Sequence, residues 1–244
     1  MIEIRHEHIS TVTDEIRAYD RIYGTRAFRH LDSLYLWILG LLNASPGQSL
    51  LDVSSGEGKL VYFALQQGLH AFGVDLSEVA LKKGVADYSL GPVCVSDAEC
   101  LPIADRSFDF VTNVGSVEHY FHPESAVREM SRVLKPKGVA CILLPNAFSF
   151  FGNVKHVWQT GDVFDDGQPV QRYSTKLGWH RLLVENGLQP FKTVKYEREW
   201  PRTGRDCFWY LSQPMKTLKL LISPFVPLNL ANSIVYLCHP VNQT

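Results

Sequence analysis

Four short stretches combine residue types that could do chemistry, and each follows an apolar run. The first is Asp52-Val53-Ser54-Ser55-Gly56-Glu57-Gly58. Glycines in such a turn let the backbone approach a ligand closely, and the N–H groups that open the next helix attract an anionic group. It is not a nicotinamide fingerprint, because Val61 stands where a third glycine is needed. The second stretch, Gly73-Val74-Asp75-Leu76-Ser77, places a carboxylate where it can accept from both hydroxyls of a ribose. In the third, Ser96-Asp97-Ala98, Asp97 can accept from an exocyclic amine and Ala98 can offer its backbone N–H to a ring nitrogen, a combination that suits adenine. The fourth, Thr112 to Tyr120, is a polar turn containing Gly115 and His119. A reaction would occur there, with His119 as candidate general base because its pKa range suits neutral pH. Each feature also has a bland reading: a tight turn, a helix cap or a histidine that shapes a pocket.

The elements around these stretches must position them. Thr11 to Ile22 reads as a helix, and Phe28, Leu31, Leu34, Tyr35, Ile38, Leu41 and Leu42 mark one face of a second, stopped by Asn43 and Pro46-Gly47. Strands follow at Ser49–Val53, Ala71–Asp75, Pro92–Ser96, Phe108–Val114 and Val139–Leu144. Helices separate them: Leu60–Gln67, Glu78–Asp87 capped by Ser77, and Glu124–Leu134 opened by Pro123. Near-continuous apolar strands alternating with helices indicate an α/β fold with a parallel sheet covered on both faces. After Pro145 the rhythm breaks. Asn146 to Arg172 reads as loop, Thr175 to Glu185 as a helix, Phe191 to Trp200 and Ser233 to Cys238 as strands, and Tyr210 to Leu221 as one helix.

Taken in order, the first turn, Gly73-Val74-Asp75, Asp97-Ala98 with Leu101-Pro102, Asp105-Arg106-Ser107-Phe108-Asp109 and Arg132-Val133-Leu134-Lys135-Pro136-Lys137-Gly138 resemble the class I S-adenosylmethionine-dependent methyltransferases. The likeness is to the small-molecule branch related to ubiquinone/menaquinone-type enzymes, over about residues 48 to 146. It implies a Rossmann-like doubly wound sheet, mostly parallel, whose antiparallel last strand inserts between its neighbours. It implies S-adenosyl-L-methionine as cofactor. Asp52, Ser54, Gly56 and Gly58 would border the methionine part, Asp75 the ribose, Leu76 and Ala98 the adenine faces and Asp97 the adenine amine. Asn113, Val114 and Gly115 would lie near the sulfonium. Ser54 departs from the family, which usually has glycine there; a positive φ would strain serine by about 1 kcal/mol. The division expected is a helical cap at 1–47, the cofactor-binding core at 48–146, and the rest of the sheet with an inserted acceptor-binding cap at 147–244, within one domain.

Tyr19, Tyr23 and His30 could close over such a site, with Gly24 as a hinge. Trp158 and Tyr173, among the aromatic residues after Pro145, are candidates to line an acceptor pocket. The acceptor expected is a small molecule, with oxygen as nucleophile. A lipid-linked or sugar acceptor is an alternative, as is a ligand-binding protein without transferase activity.

Composition excludes other partners. With 24 Lys+Arg against 25 Asp+Glu, the net charge of −1 lacks the basic footprint of a nucleic-acid binder. The fourth strand end also lacks an Asn/Asp-Pro-Pro-Tyr/Phe motif. Five cysteines without a CxxC, and a start that is neither basic nor apolar, suggest reduced thiols and a cytoplasmic protein. No metal is expected: Glu3, His6, Glu7 and His8 read as a frayed polar start. Leu220 to Cys238 is too interrupted by prolines to span a membrane. Within it, Leu220 to Leu230 is expected to be buried, with peripheral membrane contact left open, as is the oligomeric state.

Overall fold

Leu50 and Leu51 are adjacent in one strand and therefore point to opposite faces, yet both are fully buried. That strand must be covered on both sides. The computed structural model, which describes residues 1–6, 11–25 and 30–241, meets this demand with a doubly wound sheet. Glu7, His8 and Phe28 lie outside the described residues.

The chain opens with β1 (Ile2–Arg5), α1 (Val12–Thr25) and α2 (Asp32–Leu42). The alternating part runs β2 (Ser49–Val53), α3 (Lys59–Gln66), β3 (His70–Asp75), α4 (Glu78–Tyr88), β4 (Val93–Val95), β5 (Phe108–Val114), α5 (Pro123–Val133) and β6 (Leu134–Pro145). Then come α6 (Lys155–Thr160), β7 (Val170–Tyr173), α7 (Lys176–Glu185), β8 (Leu188–Tyr196), α8 (Gly204–Leu211), α9 (Pro214–Ile222) and β9 (Ser233–Pro240).

The main sheet has the order β4-β3-β2-β5-β6-β9-β8. All its pairings are parallel except those of β9, which lies antiparallel between β6 and β8. Leu50, Phe110, Val235 and Leu237 pack under α2 and α3 on one face, and Leu51, Val111, Ile142 and Tyr236 under α5 and α7 on the other. The strand order reverses between β2 and β5, so the crevice beyond their carboxyl ends is where this architecture admits a ligand.

Several expectations are corrected. The polar start is a strand: β1 pairs antiparallel with β7, Arg172 of β7 bonds Glu3 at 2.7 Å, and His6 lies 3.2 Å from Asp165. Its signal was the alternation Ile2-Glu3-Ile4-Arg5, legible only once a partner strand exists. The stretch from Asn146 to Arg172 is not a plain loop, since it holds the π-turn Phe150–Val154, α6 and most of β7. The single helix expected near Tyr210 is two, α8 and α9, because Pro214 starts a new helix as its first residue. Lys135 to Gly138 is a bulge within β6, whose pairing with β5 jumps from Phe108↔Leu134 to Phe110↔Val139. Thr175, expected as the first residue of a helix, is the cap of α7 instead, its side chain accepting from Gly178 N. Gly24, expected as a hinge, lies inside α1.

Two contacts hold the cap elements over the crevice. The Asp20 carboxylate in α1 accepts from Ser77 Oγ at 2.6 Å, at the start of α4, and the Lys83 ammonium reaches the Tyr23 carbonyl. Asp206 in α8 accepts from Ser33 N at 2.7 Å and from Ser33 Oγ at 2.5 Å, fastening α8 to the start of α2. Glu15, Tyr19 and Tyr23, spaced four apart on α1, thereby share one face of that helix and line the crevice.

Candidate active site

The cleft at the strand ends encloses about 1190 Å³, part of it open to solvent. It is bordered by the turn after β2, the end of β3, the segment after β4, the turn after β5 and the inner face of α1.

The turn after β2 takes left-handed backbone at Ser54 (φ 58°), Gly56 (φ 55°) and Gly58 (φ 69°). Ser54 therefore carries the strain anticipated for a residue with a Cβ. Its hydroxyl lies 2.6 Å from Tyr120 Oη. Tyr120 Oη in turn accepts from Asn113 Nδ2 at 2.7 Å, which ties the turn after β2 to the turn after β5. Ser54→Gly removes the strain and the hydrogen bond together, whereas Ser54→Ala removes only the bond. The expected order of melting temperatures is Gly close to wild type and Ala below both, by about 1 kcal/mol. Thermal unfolding of the three proteins checks it.

Asp75, at the end of β3, accepts from Gly56 N at 2.7 Å and from Ser77 N at 2.8 Å. Burial pushes its carboxyl up to about 6, against the pull of those two N–H groups. Asp52 accepts from Thr112 Oγ1 at 2.7 Å and is pushed by burial to about 7. Gly58 opens α3 and stays outside the cleft lining; a Cβ there would come within 2.2 Å of Leu90 Cδ1. Leu76, Asp97 and Ala98 line the cleft, and Asp97 Oδ1 accepts from Glu99 N at 2.8 Å.

Val114 and Gly115 (φ 70°) border the cleft, but Asn113 lies beneath it, fully buried. Asn113 donates to Val53 O at 3.0 Å and to Tyr120 Oη, and accepts from Val117 N at 3.2 Å. It shapes the turn from below.

His119, in the 3-10 turn Val117–His119, faces the cleft. Its Nδ1 is 2.6 Å from Val170 O, an acceptor, so Nδ1 carries the proton. Its Nε2 is then a lone pair, 3.0 Å from Gln168 Nε2, whose other N–H donates to Asp166 Oδ2 at 2.8 Å. Burial lowers the imidazole below its ordinary value, with Arg172 adding to this; Asp166 and the Val170 contact oppose it. Arg172 also bonds the carbonyls of Tyr120 and Phe121, so β7 fixes the histidine and the turn behind it.

Of the aromatic candidates, Tyr19 and Tyr23 line the cleft, and Tyr23 Oη lies 2.7 Å from where a Cβ on Gly56 would stand. Trp158 and Tyr173 are not brought to it. Trp158 projects from α6 with 83% of its surface exposed, and Tyr173 is buried with its hydroxyl on Phe164 O. The helix formed by the supposed loop explains both: α6 turns Trp158 outward, and β7 pairs under β1.

Several residues in or against the site were not singled out from sequence. Ser55 lines the cleft, and its buried Oγ has no partner among the described residues. Glu118 Oε2 is likewise buried without one, and burial pushes its carboxyl up to about 8. Tyr120 and Gln168 act as described above. Glu15 is buried, and desolvation together with the charges of Asp97 and Glu99 raises it to about 8. Only its place one turn before Tyr19 could have signalled it.

Glu15 carries a pH dependence. An unfolded glutamate titrates near 4.5, so from there to about 8 the folded chain holds a proton that the unfolded chain has lost. That contribution is whole below pH 4.5 and is lost as pH rises through about 8, at no more than about 1.4 kcal/mol per pH unit. Glu15→Gln is expected to match wild type in acid and to exceed its melting temperature increasingly toward alkaline pH. Parallel slopes for the two proteins would contradict this.

The lining carries Asp52, Glu57, Asp75, Asp97 and Glu99 beside Glu15, which keeps its proton at neutral pH, while Lys59 is paired with Asp32. Such a field favours a ligand with cationic character. Among the described residues no group of three or more His, Cys, Asp or Glu could hold a metal ion.

Residues 51–142 match the family described as "Methyltransferase domain". The ubiquinone/menaquinone biosynthesis C-methyltransferase UbiE of Cupriavidus pinatubonensis is 33% identical over 176 residues, which are 63% of this chain and 72% of that protein. The protein of the same name from Cupriavidus metallidurans is 37% identical over 109 residues, 41% of this chain and 44% of that protein, so this match spans less than half of the relative's length. Among solved structures, the [4+2]-cyclase SpnF superimposes with a TM-score of 0.68 at 17% identity, over 96% of this chain and 98% of that one. At that identity the likeness is one of fold.

Proposed function

This chain belongs to the S-adenosylmethionine-dependent methyltransferase family, and we propose that it transfers the cofactor's methyl group to a hydroxyl-bearing small molecule. The observation that carries the reading is that Asp75, Asp97-Ala98 and His119 border one cleft, and we read them as ribose acceptor, adenine edge and base.

The residues present fit the cofactor. Ser55 Oγ is orphaned at the glycine turn that borders the cleft, as a group that meets a ligand's carboxylate would be. Asp75 spends one hydrogen bond on each oxygen and keeps lone pairs for two ribose hydroxyls. Leu76 and Ala98 give apolar walls for a base, and the acidic lining suits a sulfonium. When bound, the cofactor supplies an already activated methyl on sulfur. The protein's share is alignment, worth roughly 7–11 kcal/mol of barrier, and exclusion of water. Tyr19 and Tyr23, held by the Asp20 and Lys83 contacts of α1, close the cleft from above. His119 Nε2 takes the acceptor's proton once the acceptor's hydroxyl displaces the Gln168 N–H that occupies its lone pair.

Loss of that proton makes oxygen the nucleophile in the first reading. A second rests on the relatives, which are named C-methyltransferases. A deprotonated phenol also carries nucleophilic density on ring carbon, and the same base would serve. Near-zero net charge supports a small, weakly charged acceptor over nucleic acid. The segments outside 48–146 are proposed to choose the acceptor. The free state of all five cysteines supports a cytoplasmic setting. No helix among the described residues is long and apolar enough to cross a membrane.

Calorimetry with S-adenosylmethionine and S-adenosylhomocysteine tests the proposal. Binding of both is expected, and no heat at millimolar ligand would overturn it. Binding without turnover on any hydroxylated acceptor would favour a ligand-binding protein.

A further inference from the structure

The segment between β8 and β9 leaves large apolar side chains in water although it is fully ordered into helices. Leu220 and Val226 turn inward as the sequence leads one to expect, but their neighbours do not. Phe208 and Leu211 of α8, Met215, Leu218 and Leu221 of α9, and Phe225 beyond it are all exposed, Leu211 by 81% and Phe225 by 84%. Phe225 is presented by a built feature. It ends the 3-10 turn Ser223–Phe225, and the Lys195 ammonium binds the carbonyls of Ser223, Pro224 and Val226 at 3.0, 2.7 and 2.7 Å. With Ile222, seven exposed apolar side chains within eighteen residues exceed the scattered singles of an ordinary surface.

The charges around them are mostly cationic, with Lys195, Arg198 and Lys219 grouped about the one partly exposed carboxylate of Glu197. No aspartate or glutamate occurs after Asp206. Lys216 sits 4.5 Å over the Trp209 ring, Arg198 5.9 Å from it, and Lys219 5.8 Å over Phe151. These are long cationic side chains lying against aromatic rings beside an apolar face, the arrangement of a helix that lies in a membrane interface.

We propose that α8, α9 and the Phe225 turn form a docking surface for an anionic lipid bilayer. A second copy of this chain fits poorly. A two-fold contact through the patch would set Arg198, Lys216 and Lys219 against the same three residues, with no carboxylate on α9 or the Phe225 turn to answer them. An anionic bilayer answers both features at once, taking the apolar side chains below its headgroups and the cations at their level. The inference stands on this surface alone and does not need the methyl-transfer reading.

Cosedimentation of the full chain with vesicles tests it, using phosphatidylcholine alone and phosphatidylcholine mixed with phosphatidylglycerol. The expected result is partition at least about tenfold stronger on the anionic vesicles, weakened by salt. The double variant Leu211→Ser, Phe225→Ser should lose about tenfold or more of it. Lys216→Glu with Lys219→Glu should bind both vesicle types alike. These side chains are exposed, so circular dichroism should show every variant folded. Equal or absent partition of the wild type would overturn the proposal, as would variants that bind like it. So would a dimer, seen by ultracentrifugation, that Leu211→Ser, Phe225→Ser dissolves without any vesicle binding.

Discussion

His119→Ala is expected to lower kcat by about two to four powers of ten, the usual worth of a positioned general base. Cofactor affinity should stay within about threefold, because the imidazole reaches toward the acceptor and makes none of the ribose or adenine contacts. The expectation rests on the tautomer. Val170 O fixes the proton on Nδ1 and so leaves the lone pair on Nε2, where the Gln168 N–H sits and an acceptor's hydroxyl would take its place. Burial lowers the pKa, which keeps the ring neutral and competent at neutral pH. In wild type the acid limb of the kcat profile should therefore lie below the ordinary histidine value of 6.5. In His119→Ala the limb should vanish with the rate. Undiminished turnover across a pH series would remove His119 as base and leave it a pocket-shaping residue.

The second large effect is on binding. Asp75→Ala should weaken S-adenosylmethionine by about 1.5–3 kcal/mol, roughly 10- to 150-fold, by deleting charge-assisted bonds to hydroxyls. Asp75 also holds Gly56 N and Ser77 N, so the alanine variant should melt earlier as well. Asp75→Asn separates the two effects: it keeps one acceptor oxygen and should lose affinity without the full loss of stability. Wild-type affinity should itself fall as pH drops through about 6, where the carboxylate takes up a proton. Titration calorimetry of the three proteins at two pH values reads all of this, and unchanged affinity in Asp75→Ala would refute the ribose assignment.

The sheet was legible because its signals are local. Leu50-Leu51, Val111 and Ile142 sit in short apolar runs bounded by turn residues, and Ser77 and Pro123 mark helix starts by their own chemistry. The ends of β2, β3 and β5 that border the cleft were legible for the same reason, down to the positive φ of Ser54. The parts that failed depend on partners far along the chain. Ile2–Arg5 is a strand only because Val170–Tyr173 lies beside it, and Gln168 matters only because that strand brings it to His119. Trp158 misled because an aromatic residue near a site in sequence carries no sign of which way its helix turns. Glu15 and Glu118 were invisible as site residues, since a carboxylate's burial is a tertiary property.

The ribbon of β1 and β7 bears on the order of assembly. Glu3 and Arg172 are 169 residues apart, and β7 supplies the carbonyl that sets the tautomer of His119. Closing so long a loop has little local contact to reward it before the sheet exists. The strands and helices around the cleft can condense early from neighbouring segments, whereas the carbonyl beside His119 is set only when β1 meets β7. The cleft proposed to hold the donor thus forms before the base proposed to serve the acceptor is in place.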